Sequence, residues 1–166
     1  MDQIHYDDLK QEIIDLLEQN REMVLATAAH DHVTARSVTC IHKDFKIYFQ
    51  TDTNFLKYRQ IGANPSVALC AGNMQIEGKA HFIGRTLDGS NQEIAALYRK
   101  IHPGSFNAYS HRESSVLAEV EIIRVTLWKY DNAHSLRDFL NVPERQATRE
   151  YYCKIDSNAS SSDRPA

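Results

Sequence analysis

From Asp8 to Gln19 the apolar residues Leu9, Ile13, Leu16 and Leu17 recur at three- and four-residue spacing among charged ones, which predicts an amphipathic helix over 8–19. Asp8 and Gln11 stand where a capping-box-like start would place them. The period then shortens. MVLATAA (23–29), residues 33–42 and KIYFQ (46–50) read as three strands, and the polar turns His30-Asp31-His32 and Lys43-Asp44 are short enough to make them antiparallel neighbours. FLKYRQIGA (55–63) reads as a helical piece stopped by Asn64-Pro65. SVALCAG (66–72) and MQIEGKAHFIG (74–84) are two further strands; in the second, Gln75, Glu77, Lys79 and His81 alternate with an apolar, partly small face. NQEIAALYRKI (91–101) predicts a second helix, closed by His102-Pro103-Gly104, and a loop is expected over 104–115. VLAEVEIIRVTLWKY (116–130) is a strand long enough to need a bulge, a bend or a split. Residues 135–152 are helix-capable but interrupted by Pro143, and the tail DSNASSSDRPA is expected to be disordered. Six strand segments joined mostly as hairpins, with helices between and outside them, give an α+β class. The expected architecture is a six-stranded antiparallel split β-barrel with flanking helices.

Length and charge narrow the function classes. The 166 residues suit one domain, expected over 1–155 with the tail at 156–166. A formal net charge of −3 and the absence of a Lys/Arg-rich run offer no footprint for nucleic acid or an anionic membrane. The opening MDQIHYDD is acidic and no apolar run approaches the roughly 18 residues of a membrane span, so a cytoplasmic protein is expected. Cys40, Cys70 and Cys153 are odd in number and far apart, which argues against a disulfide framework; Cys40 and Cys70 read as buried small hydrophobes.

Candidate chemistry starts with Arg36, a guanidinium in the middle of a strand. A solvent-facing position and a salt bridge explain it as well as a ligand does. Lys57 lies at the start of the helical piece, after the polar run Thr51-Asp52-Thr53-Asn54. If the first strands pair as hairpins, the two cations, the hydroxyls and a helix N-terminus can face one small volume, and these are the parts of a phosphate site. The alternative is that Lys57 is a solvated helix charge. His30 and His32 form an HxH pattern without a third ligand, which reads as a polar turn and leaves the metal assignment at none. Tyr109, His111 and Arg112 suit either a substrate mouth or a mobile surface loop.

The run EMVLATAAHDHVTARSVTCIHKDFKIYFQTDTNFLKYRQIGANPSVALC, followed by EGKAHFIG, resembles the FMN-binding split barrels of the pyridoxamine 5'-phosphate oxidase family, especially its compact general stress protein-like bacterial members. The likeness is close over residues 22–84 and looser through Trp128. Its specificity lies in the ordered series of LAT, Arg-x-Val, Thr with Lys six later, Asn-Pro-x-Val-Ala and Gly-Lys-Ala.

What the resemblance implies is a homodimer holding two FMN molecules at its interface. It assigns Arg36, Lys57 and Thr51 to the FMN phosphate, and Ser37, Val38 and Thr39 to the segment beside the isoalloxazine. Phe55 stands where the family often has a serine, with Thr53 or Asn54 as substitutes. Asn73 occupies the place of a family glutamine, Gln75 being the alternative amide, and Trp128 matches a tryptophan that lies against the partner's flavin. A core aromatic explains Trp128 equally well. The oxidase's Arg-x-His-Asp-Arg substrate stretch is replaced by AHSLRDF, in which Arg137 is a weak echo. The implied function is an FMN-dependent oxidoreductase acting on an unknown small molecule. The alternatives are a non-catalytic flavin- or haem-binding sensor or stress-response module, and a deazaflavin protein.

Overall fold

The computed structural model describes residues 1–131 and 134–154, with no account of the side chains of 153 and 154. In chain order the elements are β1 (Asp2–Gln3), α1 (Tyr6–Gln19), β2 (Glu22–Ala29), β3 (His32–Lys43), β4 (Lys46–Asp52), α2 (Leu56–Ala63), β5 (Ser66–Ala71), β6 (Met74–Arg85), α3 (Gln92–Ile101), α4 (Pro103–Tyr109), β7 (Ser115–Asp131), β8 (His134–Asn141) and β9 (Gln146–Lys154).

Antiparallel pairing runs β7-β4-β3-β2-β5-β6, and β6 pairs back onto β7, so six strands close a ring. Closure depends on the length of β7. Its residues 115–121 pair β4 on one edge, and once β4 ends, residues 124–131 take β8 on that same edge while β6 follows the other from Val116 to Leu127. Thus β7 neither splits nor stops; it leaves the barrel and carries β8, β9 and β1 as an extension. The expected bulge is present: Glu77 faces Arg124 and Gly78 faces Ile122, so Ile123 is the extra residue in β7, and a second irregularity between Phe82 and Arg85 lies on β6. Gly78 fits because a Cβ there would stand 2.5 Å from Glu121 O and 2.7 Å from Val120 Cγ1.

The barrel is filled by the inward residues of alternating strands, among them Leu25, Phe49, Leu69, Ile76, Ala118 and Val120. Helix α1 lays Leu9, Ile13 and Leu17 onto this core, each contributing about 1.5–3 kcal/mol of burial as an upper estimate. It starts at Tyr6 with no side-chain cap on His5, so the expected capping box is absent, and Gln11 bonds Asp15 instead.

Three other expectations need correction. Residues 104–115 are not wholly a loop: Pro103 opens α4, as its missing N–H permits at a first helical turn. The helix-capable stretch 135–152 is the β8–β9 hairpin. Leu136 and Leu140, four apart, satisfy helical and alternating periods equally, and the free edge of β7 decides between them by supplying a strand partner. Cys70 is exposed on the outer face of β5, because it follows inward Leu69 by one residue. Cys40 is buried as expected, and burial pushes its thiol up to about 12. The expected tail at 156–166 lies outside the described residues. Among the described residues no helix is long and apolar enough to cross a membrane.

Candidate functional site

The site is assembled where α2 crosses the barrel mouth. Its anchor is Gln60, 3% exposed, whose Oε1 accepts hydrogen bonds from Thr27 and Thr34 at 2.7 Å each and whose amide donates to His32 O at 2.8 Å. Both threonine hydroxyls in turn accept from Arg36, which also donates to Leu25 O at 3.2 Å. A relay of guanidinium, hydroxyls and amide therefore fixes α2 relative to β3. Among the described residues three of the five N–H donors of Arg36 are used, and two remain.

One turn before Gln60, α2 brings Lys57 toward Arg36. Burial and then the Arg36 charge lower the Lys57 pKa from its ordinary value, and burial lowers that of Arg36 as well. The Lys57 ammonium lies 5.0 Å from the centre of the Phe55 ring. Two half-buried cations that raise each other's free energy, without a carboxylate bonded to either among the described residues, form a place where an anion is stabilised. A third observation points the same way. Thr51 lies on the inward side of β4 at the barrel mouth, and its buried hydroxyl has no hydrogen-bond partner among the described residues.

These residues stand at one end of a cleft of about 600 Å³. Its floor is Ser37, Val38 and Thr39 of β3 with Gln50 and Thr51 of β4, and the opposite wall comes from α3 and α4. The Gln50 amide is held among the hydroxyls of Thr86, Ser110 and Ser115 at 2.5–3.1 Å, which ties the floor to α4. Thr39 shares a 2.5 Å hydrogen bond with Tyr98 of α3, whose phenol is raised by burial.

Of the residues expected from sequence, Ser37, Val38, Thr39, Thr51 and Lys57 line this one cleft, and Arg36 adjoins it through Lys57. The other three do not reach it within one chain. Register places Ser37, Val24, Cys70, Gln75 and Thr126 in a row across the outer face of the barrel, so Gln75 lies three strand spacings from Ser37, about 14 Å. Gln75 donates to Glu77 at 3.2 Å. Asn73 and Trp128 bond each other: Trp128 N–H donates to Asn73 O at 3.0 Å, and the Asn73 amide donates to Trp128 O at 2.6 Å. Neither Thr53 nor Asn54 supplies the hydroxyl or amide that Phe55 lacks, and the Asn54 amide turns to Asp52 instead. His30 and His32 are exposed at a tight turn in which His30 and Asp31 have positive φ.

Sequence reasoning missed Thr27, Thr34, Gln60, Gln50 and Tyr98. The first three are ordinary strand and helix polar residues until the ring closes over them. Gln50 carried a weak signal, a polar residue ending an apolar strand.

Residues 9–129 match the sequence profile of the pyridoxamine 5'-phosphate oxidase family. No curated protein matches the chain. Among solved structures, general stress protein 26 of Bacillus anthracis is 22% identical, covering 70% of this chain and 91% of its own, with a TM-score of 0.58. An FMN-binding protein of Nostoc punctiforme related to pyridoxamine 5'-phosphate oxidase is 14% identical over 92% of this chain and 100% of its own, with a TM-score of 0.57. The haem storage protein HutZ of Vibrio cholerae is 13% identical over 69% of this chain and 89% of its own, with a TM-score of 0.59. These likenesses carry the fold, and the profile match over most of the length carries the family: the chain belongs to the pyridoxamine 5'-phosphate oxidase family.

Proposed function

We propose that the cleft holds FMN and that the protein is a flavin-dependent oxidoreductase working as a homodimer. One observation carries the cofactor: Arg36 and Lys57 repel each other beside the buried, unpartnered hydroxyl of Thr51. A phosphate oxygen would satisfy that hydroxyl and both cations at once. The residues present fit such a group. Arg36 would donate its two remaining N–H groups, Lys57 would add a point charge, and the first N–H groups of α2 lie at the same end. Ser37, Val38 and Thr39 would then run beside the ring, with the Tyr98–Thr39 hydrogen bond fixing the Thr39 hydroxyl for its polar edge. When bound, FMN supplies hydride or single-electron transfer. The chain's part is to bind, to orient and to keep water from the ring through α3 and α4.

HutZ favours weighing a haem in the same barrel, since that neighbour is a haem storage protein. Against it, no histidine lines the cleft among the described residues, so an imidazole axial ligand is not offered there.

The homodimer is supported by what the outer barrel face leaves to water. Val24 and Val33 are 45% and 66% exposed, and Ala35 and Cys70 beside them are exposed too. Gln75 and Trp128 lie on or beside this face. They reach a flavin only if a second copy packs across it.

Pyridoxamine 5'-phosphate is not the substrate on this reading. The stretch after Trp128 would have to bind a second phosphate, yet Lys129 pairs with Asp138 at 2.8 Å and with Glu12 at 2.5 Å, and Arg137 pairs with Glu150 at 2.6 Å. Both cations are already paired with carboxylates, and the Nε of the Arg137 guanidinium is left buried without a hydrogen-bond partner among the described residues.

The test is the absorption spectrum of purified protein, followed by FMN titration of wild type, Arg36→Ala and Lys57→Ala. Flavin bands and a loss of about ten- to a hundredfold in each variant are expected, from about 1.5–3 kcal/mol per charge-assisted contact. Equal affinities in folded variants refute the site, and a Soret band in place of flavin bands transfers it to haem.

A further inference from the structure

Floor and phosphate end account for half of the cleft. The opposite wall is α4 and the turn behind it. Ser105, Ala108, Tyr109 and Arg112 recur at three- and four-residue spacing and all line the cleft, whereas Phe106 and Ser110, on the other side of the same turns, are buried. The helical path continues to Arg112, whose N–H donates to Tyr109 O at 3.1 Å. Space is left in front of this wall, since a Cβ added to Gly104 would meet nothing within 4 Å. At its end the Arg112 guanidinium lies over the Tyr109 ring, 5.0 Å from the centroid. Asp52 feels that charge without bonding to it; its oxygens instead accept from Ser114 at 2.6 Å and from the Asn54 N–H at 2.9 Å.

We infer that Arg112 and Tyr109 form the binding point for a substrate carboxylate, so that the small molecule meeting the flavin is a planar organic monoanion. The inference rests on the flavin reading above and names the substrate class of the same cleft. Three observations carry it. Arg112 is a cation on the cleft wall that the cofactor phosphate does not use and that no carboxylate claims among the described residues. The ring of Tyr109 covers its face and leaves the edge N–H fork, which matches a carboxylate in bidentate geometry. Tyr109 and, at the phosphate end, Phe55 are 50% and 52% exposed, and both line the cleft, offering apolar rings to a flat ligand body. Charge balance favours a monoanion: Asp52, held ionised by the Ser114 hydroxyl and the Asn54 N–H, offsets part of the Arg112 field, and the wall then offers less than the charge needed to compensate a dianion.

Benzoate is the probe, with benzamide as its neutral isostere and phenyl phosphate as the dianion. Each is titrated into FMN-loaded protein, followed by the visible flavin spectrum, and into cofactor-free protein, followed by amide NMR shifts over residues 104–112. Benzoate should bind at least tenfold more tightly than benzamide and no more weakly than phenyl phosphate. Arg112→Ala should lower benzoate affinity about tenfold, to the benzamide level, with Arg112→Lys recovering part of it and the affinity for FMN unchanged in both. Arg99→Ala, which removes an exposed charge from α3 outside the cleft, should leave benzoate binding as in wild type. Equal binding of benzoate and benzamide, or wild-type benzoate affinity in Arg112→Ala, overturns the inference, and tighter binding of phenyl phosphate overturns the monoanion assignment. A chain that takes up no FMN refutes the cofactor reading instead, and the cofactor-free titration still decides the role of Arg112.

Discussion

Thr51→Val separates a ligand-binding hydroxyl from a structural one, because the two roles predict opposite signs. The Thr51 side chain is buried, the residue being 5% exposed, and its hydroxyl has no hydrogen-bond partner among the described residues. A buried hydroxyl without a hydrogen bond costs about 1–3 kcal/mol, and a methyl group of nearly the same shape removes that cost without opening a cavity. Cofactor-free Thr51→Val should therefore be more stable than wild type by about 1 kcal/mol or more, a rise in midpoint temperature of about 2–4 °C for a chain of this size. With FMN the sign reverses. The hydroxyl would donate to a phosphate oxygen, a charge-assisted bond of about 1.5–3 kcal/mol, so affinity should fall by about ten- to a hundredfold. Thermal unfolding of cofactor-free protein and fluorescence titration with FMN measure the two arms. A variant that loses stability while keeping wild-type FMN affinity would refute the reasoning, since Thr51 would then serve the fold and not the ligand.

Gly78→Ala should destabilise by about 1–3 kcal/mol without altering FMN affinity in the folded fraction, because the added Cβ meets the β7 backbone at 2.5 Å; urea unfolding reads the first effect and titration the second. Asp138, 1% exposed, gives the acid limb of stability: burial raises its pKa, but hydrogen bonds from Arg149 and Lys129 outweigh this and leave it below the ordinary value. Its contribution is thus complete above the unfolded value of about 4 and is lost as pH falls through the lower folded value. Asp138→Asn should cost about 3 kcal/mol at pH 7, and the gap from wild type in urea unfolding should narrow below pH 4; a constant gap would show that the carboxylate is not what Lys129 and Arg149 hold. Sedimentation at micromolar concentration should give a dimer whose interface lies in the range of about 1,200–2,000 Å² or above, and a monomer that still binds FMN would remove Gln75 and Trp128 from the site.

The barrel was legible in the chain because its strands are half-buried: alternation in 23–29, 33–42 and 74–84 fixes both strand and inward face, and two-residue turns force antiparallel pairing. The β8–β9 hairpin was not legible, since the edge of β7 that recruits it lies on a strand whose length said nothing about where β4 would stop. The same distinction runs through the site. Arg36, Lys57 and Thr51 announce themselves by residue type, but what makes them candidates for a site is what each is left without among the described residues, and that depends on closure of the ring. Thr51 lacks a partner because inward parity places it at the mouth, beyond Phe49 and above the packed core. Lys129 and Arg137, equally promising as letters, are withdrawn by Asp138, Glu12 and Glu150, which come from β8, α1 and β9. A cation in sequence is therefore only a supply of charge. Whether it remains for a ligand depends on which carboxylates the topology delivers: among the described residues none bonds to Lys57 or to Arg112, and Asp52, which acts on Arg112 only through its charge, gives its oxygens to Ser114 and Asn54, which is the arrangement on which the proposed anion-binding roles of this cleft rest.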